Sequence, residues 1–415
     1  MRVNQYILLF GMAALAACSK NPITPPLQNP SKNLVGTVEI ADTVMKHMEG
    51  IYALSSGSDA VGSEFVCKVS KYKVSFFSNR GGIYIILAYG LNPVDSSIQF
   101  AGFWRYSESA TQGLINLSIA HADGAADILA GNLITQIKLT GGFGGENANQ
   151  NPVTIHYGRA FSAYATSHPF MIFAHHGVQT NTDPPYTENS LNGAIHDEDY
   201  GVNGLEFDVH LTKDHVPICA HDANVNIRVT EKGPLSGNYI QYDFAFLDSF
   251  VRLTDGERIP SVQQVLDAFV DSTTLQFMWL DVKGDPDIFK YLEPVVREAY
   301  ARAALAGRNV VIFADLPSEA VIEDYQAWPP YHDLPTMCEV SLDDVLSNNC
   351  QYWGPRYTLG LLLNEVDQAH SDGIKVCSWT LNDKNLIYNY MVNGRFDGFI
   401  SDYPAYVVYD YYTLF

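Results

Sequence analysis

Cations, cysteines and long apolar runs are all scarce in this chain of 415 residues. Lys and Arg number 25 against 46 Asp and Glu, a formal net charge of -21. That balance argues against nucleic-acid binding by bulk electrostatics, and against adsorption to anionic lipid by charge alone. There are 6 cysteines and no C-x-x-C, so a structural zinc site is not expected. Apart from Cys18 they are Cys67, Cys219, Cys338, Cys350 and Cys377, an odd set that allows at most two disulfides. Cys338 and Cys350, nearest in sequence, are the expected pair. The N-terminal apolar run, Tyr6 to Ala17, is too short to span a bilayer. With 17% charged and 47% hydrophobic residues the composition is that of an ordinary globular protein, with no sign of long disorder.

What is present begins with an address. Arg2 supplies a short positive start, the apolar run follows, and Leu15-Ala16-Ala17-Cys18 looks like a bacterial lipoprotein signal. Residues 1–18 are therefore expected to be a signal ending at Cys18. Acyl chains there would tether the protein to a membrane of the bacterial cell envelope, outer-membrane, periplasmic or surface-facing. Residues 19–35, rich in proline and without apolar periodicity, read as a flexible spacer. The remaining length suggests two domains.

Residues 36–160 have the texture of an all-β domain, a barrel or a sandwich. Runs such as Lys71–Phe77, Gly82–Tyr89, Ile98–Tyr106, Gly113–Ile119 and Asn132–Thr140 are rich in β-branched and aromatic residues, with turn formers between them. Val38 to Tyr52 could open with a helix. Gly141-Gly142-Phe143-Gly144-Gly145 reads as a loop, since no helical pattern follows to make it a phosphate cradle. No constellation of ionisable groups here carries chemistry.

From residue 168 to 415 the pattern changes. Strand-like runs recur at Phe170–Ala174, Leu205–Val209, Phe277–Val282, Val310–Ala314, Val376–Trp379 and Gly398–Ser401, with helical patterns between several of them. Clearest is Val262 to Phe269, with Val262, Val265, Leu266 and Phe269 as one stripe. Ser261 and Gln264 are placed for a capping box at its start. Alternating strands and helices predict a parallel α/β fold. The strands between Leu334 and Thr358 are hard to place.

The chemistry gathers at strand ends. His175-His176-Gly177 closes the first run, and Glu206 and Asp208 lie two apart in the second. Side chains at i and i+2 share one face of a strand, so both carboxylates point the same way while Leu205, Phe207 and Val209 point the other. Asp281 and Lys283 repeat the arrangement. Inward-facing charges must be paired or must hold a metal, and in a parallel barrel catalytic groups converge at the C-terminal ends of the strands.

Taken together, these residues resemble the glycerophosphodiester phosphodiesterases. The correspondence runs through His175-His176-Gly177, Thr187-Glu188-Asn189-Ser190, Glu206-Phe207-Asp208-Val209, His221-Asp222 and Asp281-Val282-Lys283. It continues through Trp379-Thr380-Leu381-Asn382 to Asp397-Gly398-Phe399-Ile400-Ser401-Asp402-Tyr403-Pro404, all in the family's order over the last 240 residues or so. The resemblance implies a (β/α)8 TIM-like barrel, α/β in class. It implies metal ligation by Glu206, Asp208 and Asp281, acid–base catalysis by His175 and His221, and phosphate contact by Lys283. Glu188 is expected near the site and Trp379 at the pocket mouth. Three hard oxygen ligands suit one divalent cation, Ca²⁺ or Mg²⁺.

Three positions depart from the family pattern. His176 stands where the family has an arginine, and is expected to grip phosphate more weakly and to be mostly neutral. Asp281 replaces a glutamate, and Asp214-His215 replaces Asp-Gly. The expected activity is hydrolysis of glycerophosphodiesters to glycerol 3-phosphate and an alcohol, with a small-molecule substrate and no nucleic acid. The alternatives are phospholipase-like cleavage of intact lipid, or a surface lipoprotein that binds phosphoryl or sugar ligands without turnover.

Overall fold

Along Gln112–Ile119, Gly113, Ile115, Leu117 and Ile119 are buried and the residues between them are only partly so, the alternation of a strand with one face inward. The computed structural model describes residues 34–109, 111–177, 186–328 and 334–415. The signal peptide expected at 1–18, with its lipidated Cys18, lies outside the described residues, as does the spacer as far as residue 33. Eight strands follow: β1 (Gly50–Gly57), β2 (Glu64–Ser70), β3 (Lys73–Ser78), β4 (Ile83–Leu91), β5 (Ile98–Arg105), β6 (Gln112–Ile119), β7 (Lys138–Gly144) and β8 (Asn151–Arg159). Each pairs antiparallel with the next and β8 returns to β1, closing a barrel. Phe65, Phe76, Phe100, Trp104 and Tyr52 belong to the buried cluster of this unit, together with Val, Ile and Leu.

Three local expectations are corrected here. The glycine run is not a loop: Gly141 to Gly144 lie within β7, paired to β6. A Cβ on Gly141 would lie 2.0 Å from the Asn116 carbonyl oxygen, so glycine is required by the close approach of two strands. The opening helix is only Asp42–Met45 with a 3-10 turn, and Tyr52 is already in β1. The run beginning at Asn132 enters its strand only at Lys138, after a helix at Ala125–Ala130.

The second unit is a parallel barrel. Its strands are β9 (Met171–Ala174), β10 (Gly204–Leu211), β14 (Phe277–Val282), β15 (Val311–Leu316), β16 (Thr336–Cys338), β17 (Tyr352–Trp353), β18 (Lys375–Ser378) and β19 (Gly398–Ser401). They pair in that order and β10 also pairs with β9, which closes the ring. β11 (Pro217–Cys219) folds back antiparallel on β10, and β12 (Asn224–Val225) pairs with β13 (Gly237–Asn238) in the excursion that follows. The helices after successive strands are α1 (Leu191–His196), α2 (Val262–Ser272), α3 (Ile288–Leu305), α4 (Glu319–Ala327), α5 (Leu342–Ser347), α6 (Leu363–Ser371), α7 (Lys384–Asn393) and α8 (Pro404–Leu414). α2 starts with the expected Ser261–Gln264 capping box.

Residue parity decides what faces where. Phe173, Trp279, Phe313, Met337, Cys377 and Ile400 form a cluster inside the ring, while Leu205, Phe207, Val209, Leu280 and Val282 pack outward with the helices. Of the cysteines, Cys67, Cys219, Cys338, Cys350 and Cys377 are all free and buried. The expected Cys338–Cys350 disulfide is therefore not formed. Both thiols are packed as small apolar groups in the core, and burial raises their pKa values to about 12 and about 11.

α8 joins the two units. Tyr409 Oη donates to Glu64 (2.7 Å), Tyr406 Oη to Glu108 (2.6 Å), and Lys68 Nζ to Tyr412 Oη (3.1 Å). Beside α8, the Tyr200 ring lies 5.1 Å from that of Tyr84. No helix among the described residues is long and apolar enough to cross a membrane.

Candidate active site

The inward parity that fills the barrel core continues upward into polar side chains at the C-terminal ends of the strands. Two positions past Phe173 stands His175, past Trp279 Asp281, past Phe313 Asp315, past Met337 Glu339, past Cys377 Trp379 and past Ile400 Asp402. Glu206 and Asp208 continue the inward face of β10 and Lys283 that of β14, and Asp208 is in register with Asp281. They surround a cavity of about 870 Å³ whose wall includes His175, His176, Glu206, His221, Asp281 and Lys283.

Glu206, Asp208 and Asp281 offer ligand atoms within 4.8 Å of one another. Two overlapping groups, His175–His176–Glu206 and His176–Asp208–His221, meet the same test. The all-carboxylate set is the one a hard divalent cation prefers. Its chemistry fits: Glu206 Oε1 and Asp208 Oδ1 are buried with no aligned hydrogen-bond donor. Lys283 Nζ comes within 2.7 Å of Asp208 Oδ1, a close charge contact rather than an aligned bond, and also ion-pairs with Asp281. Burial and the neighbouring Asp208 push Glu206 well above the usual carboxylate range. Burial would also raise Asp208, but His176 and Lys283 outweigh it and hold that carboxyl low. Lys283 itself is raised, since Asp281, Asp208 and Glu206 overcome the cost of burying it.

The two proposed acid–base histidines are both backed by carboxylates. His175 Nδ1 lies 2.7 Å from Asp402 Oδ1, and Asn382 Nδ2 donates to Asp402 Oδ2 at 2.8 Å. Burial would raise Asp402, yet its bond to His175 keeps it lowered and ionised. A carboxylate at Nδ1 requires a proton there, which leaves Nε2 as the exchanging nitrogen. His221 Nδ1 lies 3.0 Å from Asp222 Oδ1. Burial opposes ionisation of Asp222, but His221 and Arg228 bring its pKa down to about 2.

His176 differs from expectation. Burial would lower its pKa, but Glu206 and Asp208 raise it, so the ring is more cationic than a neutral phosphate contact would be. Its Nδ1 lies 2.6 Å from Asp208 Oδ2, at ion-pair distance though out of line for a hydrogen bond, and its backbone N–H donates to Glu206 Oε2 at 2.7 Å. His176 takes φ 56° and Gly177 φ 73° in the tight turn after β9, where a Cβ on Gly177 would meet the Phe207 ring at 2.9 Å. The His176 ring stacks on His175 at 3.7 Å and meets His221 edge-on at 4.8 Å. His215, in place of the family's glycine, adopts φ 62° with its ring stacked on Tyr291 at 4.4 Å.

Glu188 is buried and is not among the residues that line the cavity. Arg228 grips both oxygens of Glu188 at 2.6 and 2.7 Å and reaches Asp222 at 2.9 Å, so the chain His221–Asp222–Arg228–Glu188 is continuous. Trp379 lines the cavity and donates its indole N–H to the Gly354 carbonyl at 2.7 Å. Asn189, quoted above only as part of a motif, clamps Asp208: its Nδ2 donates to Asp208 Oδ2 (2.6 Å) and its Oδ1 accepts from the Asp208 N–H (2.9 Å). The sequence reading missed Asp315, Glu339, Arg228 and Arg356. Asp315 was signalled by a charge in the apolar run Val310–Leu316, and Glu339 and Arg356 fall where strands were not placed. Arg228, in the excursion after β11, had no signal. Glu339 hydrogen-bonds Asp315, and burial raises it to about 8.

A parallel barrel with three convergent carboxylates that could hold a cation, close to two histidines, is an arrangement suited to a metal-assisted hydrolase. Residues 175–311 match the family model described as the Glycerophosphoryl diester phosphodiesterase family. Among curated proteins, the chain is 26% identical over 243 residues to a glycerophosphodiester phosphodiesterase of Bacillus altitudinis, covering 56% of this chain and 94% of the relative. It is 22% identical over 241 residues to that of Caldanaerobacter subterraneus subsp. tengcongensis, with the same coverage. Similar solved structures include an Oleispira antarctica phosphodiesterase in complex with the product sn-glycerol-3-phosphate, at 19% identity and TM-score 0.46 over 59% of this chain and 97% of that one. A glycerophosphodiester phosphodiesterase from Parabacteroides distasonis aligns at 18% identity and TM-score 0.47 with the same coverage. The similarity to the glycerophosphodiester phosphodiesterase family lies within the parallel barrel.

Proposed function

We propose that the protein is a metal-dependent phosphoric diester hydrolase that cleaves glycerophosphodiesters to glycerol 3-phosphate and an alcohol. The observation that carries this is the clustered Glu206–Asp208–Asp281 trio, two members of which line one cavity with His175 and its Asp402–Asn382 support behind it. Glu206, Asp208 and Asp281 would hold one Ca²⁺ or Mg²⁺, which when bound supplies positive charge to the phosphoryl oxygens. Lys283 adds a fixed cation on the same side of the cavity, and His176 a second. His175, oriented through Nδ1 by Asp402, accepts a proton at Nε2 from the attacking water. His221, at the mouth and oriented by Asp222, returns a proton to the leaving oxygen. The lipoprotein signal at Cys18 supports tethering to the bacterial envelope, which would set the barrel at a membrane surface without inserting it.

The test is release of glycerol 3-phosphate from a panel of glycerophosphodiesters by the chain that follows Cys18. Turnover should vanish with chelator and return with Ca²⁺ or Mg²⁺. His175→Ala should lose about 10³-fold or more in kcat, the scale of a lost acid–base group. Turnover indifferent to both changes, or absent with every diester, rejects the proposal. Metal binding without turnover would point to a binder instead.

A further inference from the structure

The barrel wall facing β10 carries a cation that the proposed mechanism does not use. In the strand order β17 stands four places from β10 in either direction, so Arg356, just beyond β17, lies across the cavity mouth from the carboxylate trio. Its guanidinium sits over the Trp379 ring at 5.3 Å from the centroid, and both residues line the cavity. Arg356 is exposed and makes no ion pair among the described residues. Two acidic groups line the cavity nearby, and the Arg356 charge acts on Glu339 without reaching ion-pair distance. Glu339 is hydrogen-bonded to Asp315, and Asp324 accepts from the Asp287 N–H at 3.0 Å in the turn before α3. An aromatic face at a pocket mouth is an ordinary seat for a quaternary ammonium group. Here a resident cation already takes that face. A diester held by its phosphate at β10 and β14 would extend its leaving alcohol across the mouth, and about 870 Å³ leaves room for more than a phosphoglycerol.

We infer that Arg356 and Trp379 form a distal subsite for a second anionic group on the leaving alcohol, and that they disfavour cationic head groups such as choline. A guanidinium seated over an indole keeps N–H groups available to a phosphate or carboxylate. The subsite rests on the phosphodiesterase reading and names the substrate class that reading leaves open.

Three diesters test it: bis(glycerophospho)glycerol with a distal phosphate, glycerophosphoglycerol with a neutral end, and glycerophosphocholine with a cationic one. The metal-loaded chain should favour the first over the last by about tenfold or more in kcat/KM. Arg356→Gln should remove about that factor from bis(glycerophospho)glycerol and leave glycerophosphoglycerol unchanged, and Arg356→Glu should reverse the order. A preference for the choline diester, or a ratio unmoved by Arg356→Gln, overturns the inference. If no diester turns over, the hydrolase reading fails separately. Calorimetric binding of the same compounds to His175→Ala, with and without Arg356→Gln, then decides the subsite. Equal binding of all three overturns it.

Discussion

Asp402 contributes an orientation and a charge to His175, and the two can be separated. Asp402→Asn keeps the shape and the contact with Asn382 but offers Nδ1 an amide in place of a carboxylate. The wrong tautomer is then favoured, and the imidazolium loses its counter-charge. We expect kcat to fall by about 10²–10⁴-fold with KM little changed. A KM effect with kcat intact would mean that Asp402 only shapes the pocket. The same scale explains what was legible in the sequence. His175, Glu206, Asp208 and Asp281 stand out because ionisable residues at strand parity are costly unless used. Asn189 does not, since an uncharged amide in a loop signals nothing until Asp208 is seen beside it.

At the scale of elements, period two carries most of the information. It predicts the inward face of β10 and the strand at Phe277–Val282, and the capping box predicts where α2 begins. It fails for Gly141–Gly144, whose lack of side chains looks like a loop but answers a close strand approach. Gly141→Ala should therefore destabilise the first barrel by about 1–3 kcal/mol, measured as a drop in its thermal or denaturant midpoint, because β6 and β7 must part to admit the methyl group. An unchanged midpoint would show that the two strands can separate at little cost. It fails again at β16 and β17, three and two residues long, too short to show a period. For that reason Glu339 and Arg356 were invisible as site residues.

At the scale of the molecule, α8 closes the parallel barrel and also seats it on the antiparallel one. Asp410 on that helix is buried, and burial alone raises its pKa to about 7. In the unfolded chain the same carboxyl titrates near its ordinary value of about 4. Below that pH both states are protonated and the stability is fully present. As pH rises from about 4 to 7 the unfolded state ionises first, and stability is lost by up to roughly 1.4 kcal/mol per pH unit. Denaturant midpoints across this window should fall less steeply in Asp410→Asn than in the wild-type chain. Identical slopes would remove Asp410 from the account.

The sequence alone determined a parallel α/β fold, an all-β unit before it, and ionisable residues gathered at strand ends, because parity and order along a chain are local properties; the barrel was what the family resemblance implied. Only the tertiary structure decided that the first unit is a closed barrel, that Asp402 supports His175, that Arg228 pairs with Glu188, and that Arg356 faces the trio across the mouth. Each of these joins residues from different strands or loops, up to 227 positions apart. Ring closure brings them together, and no local pattern along the chain encodes it.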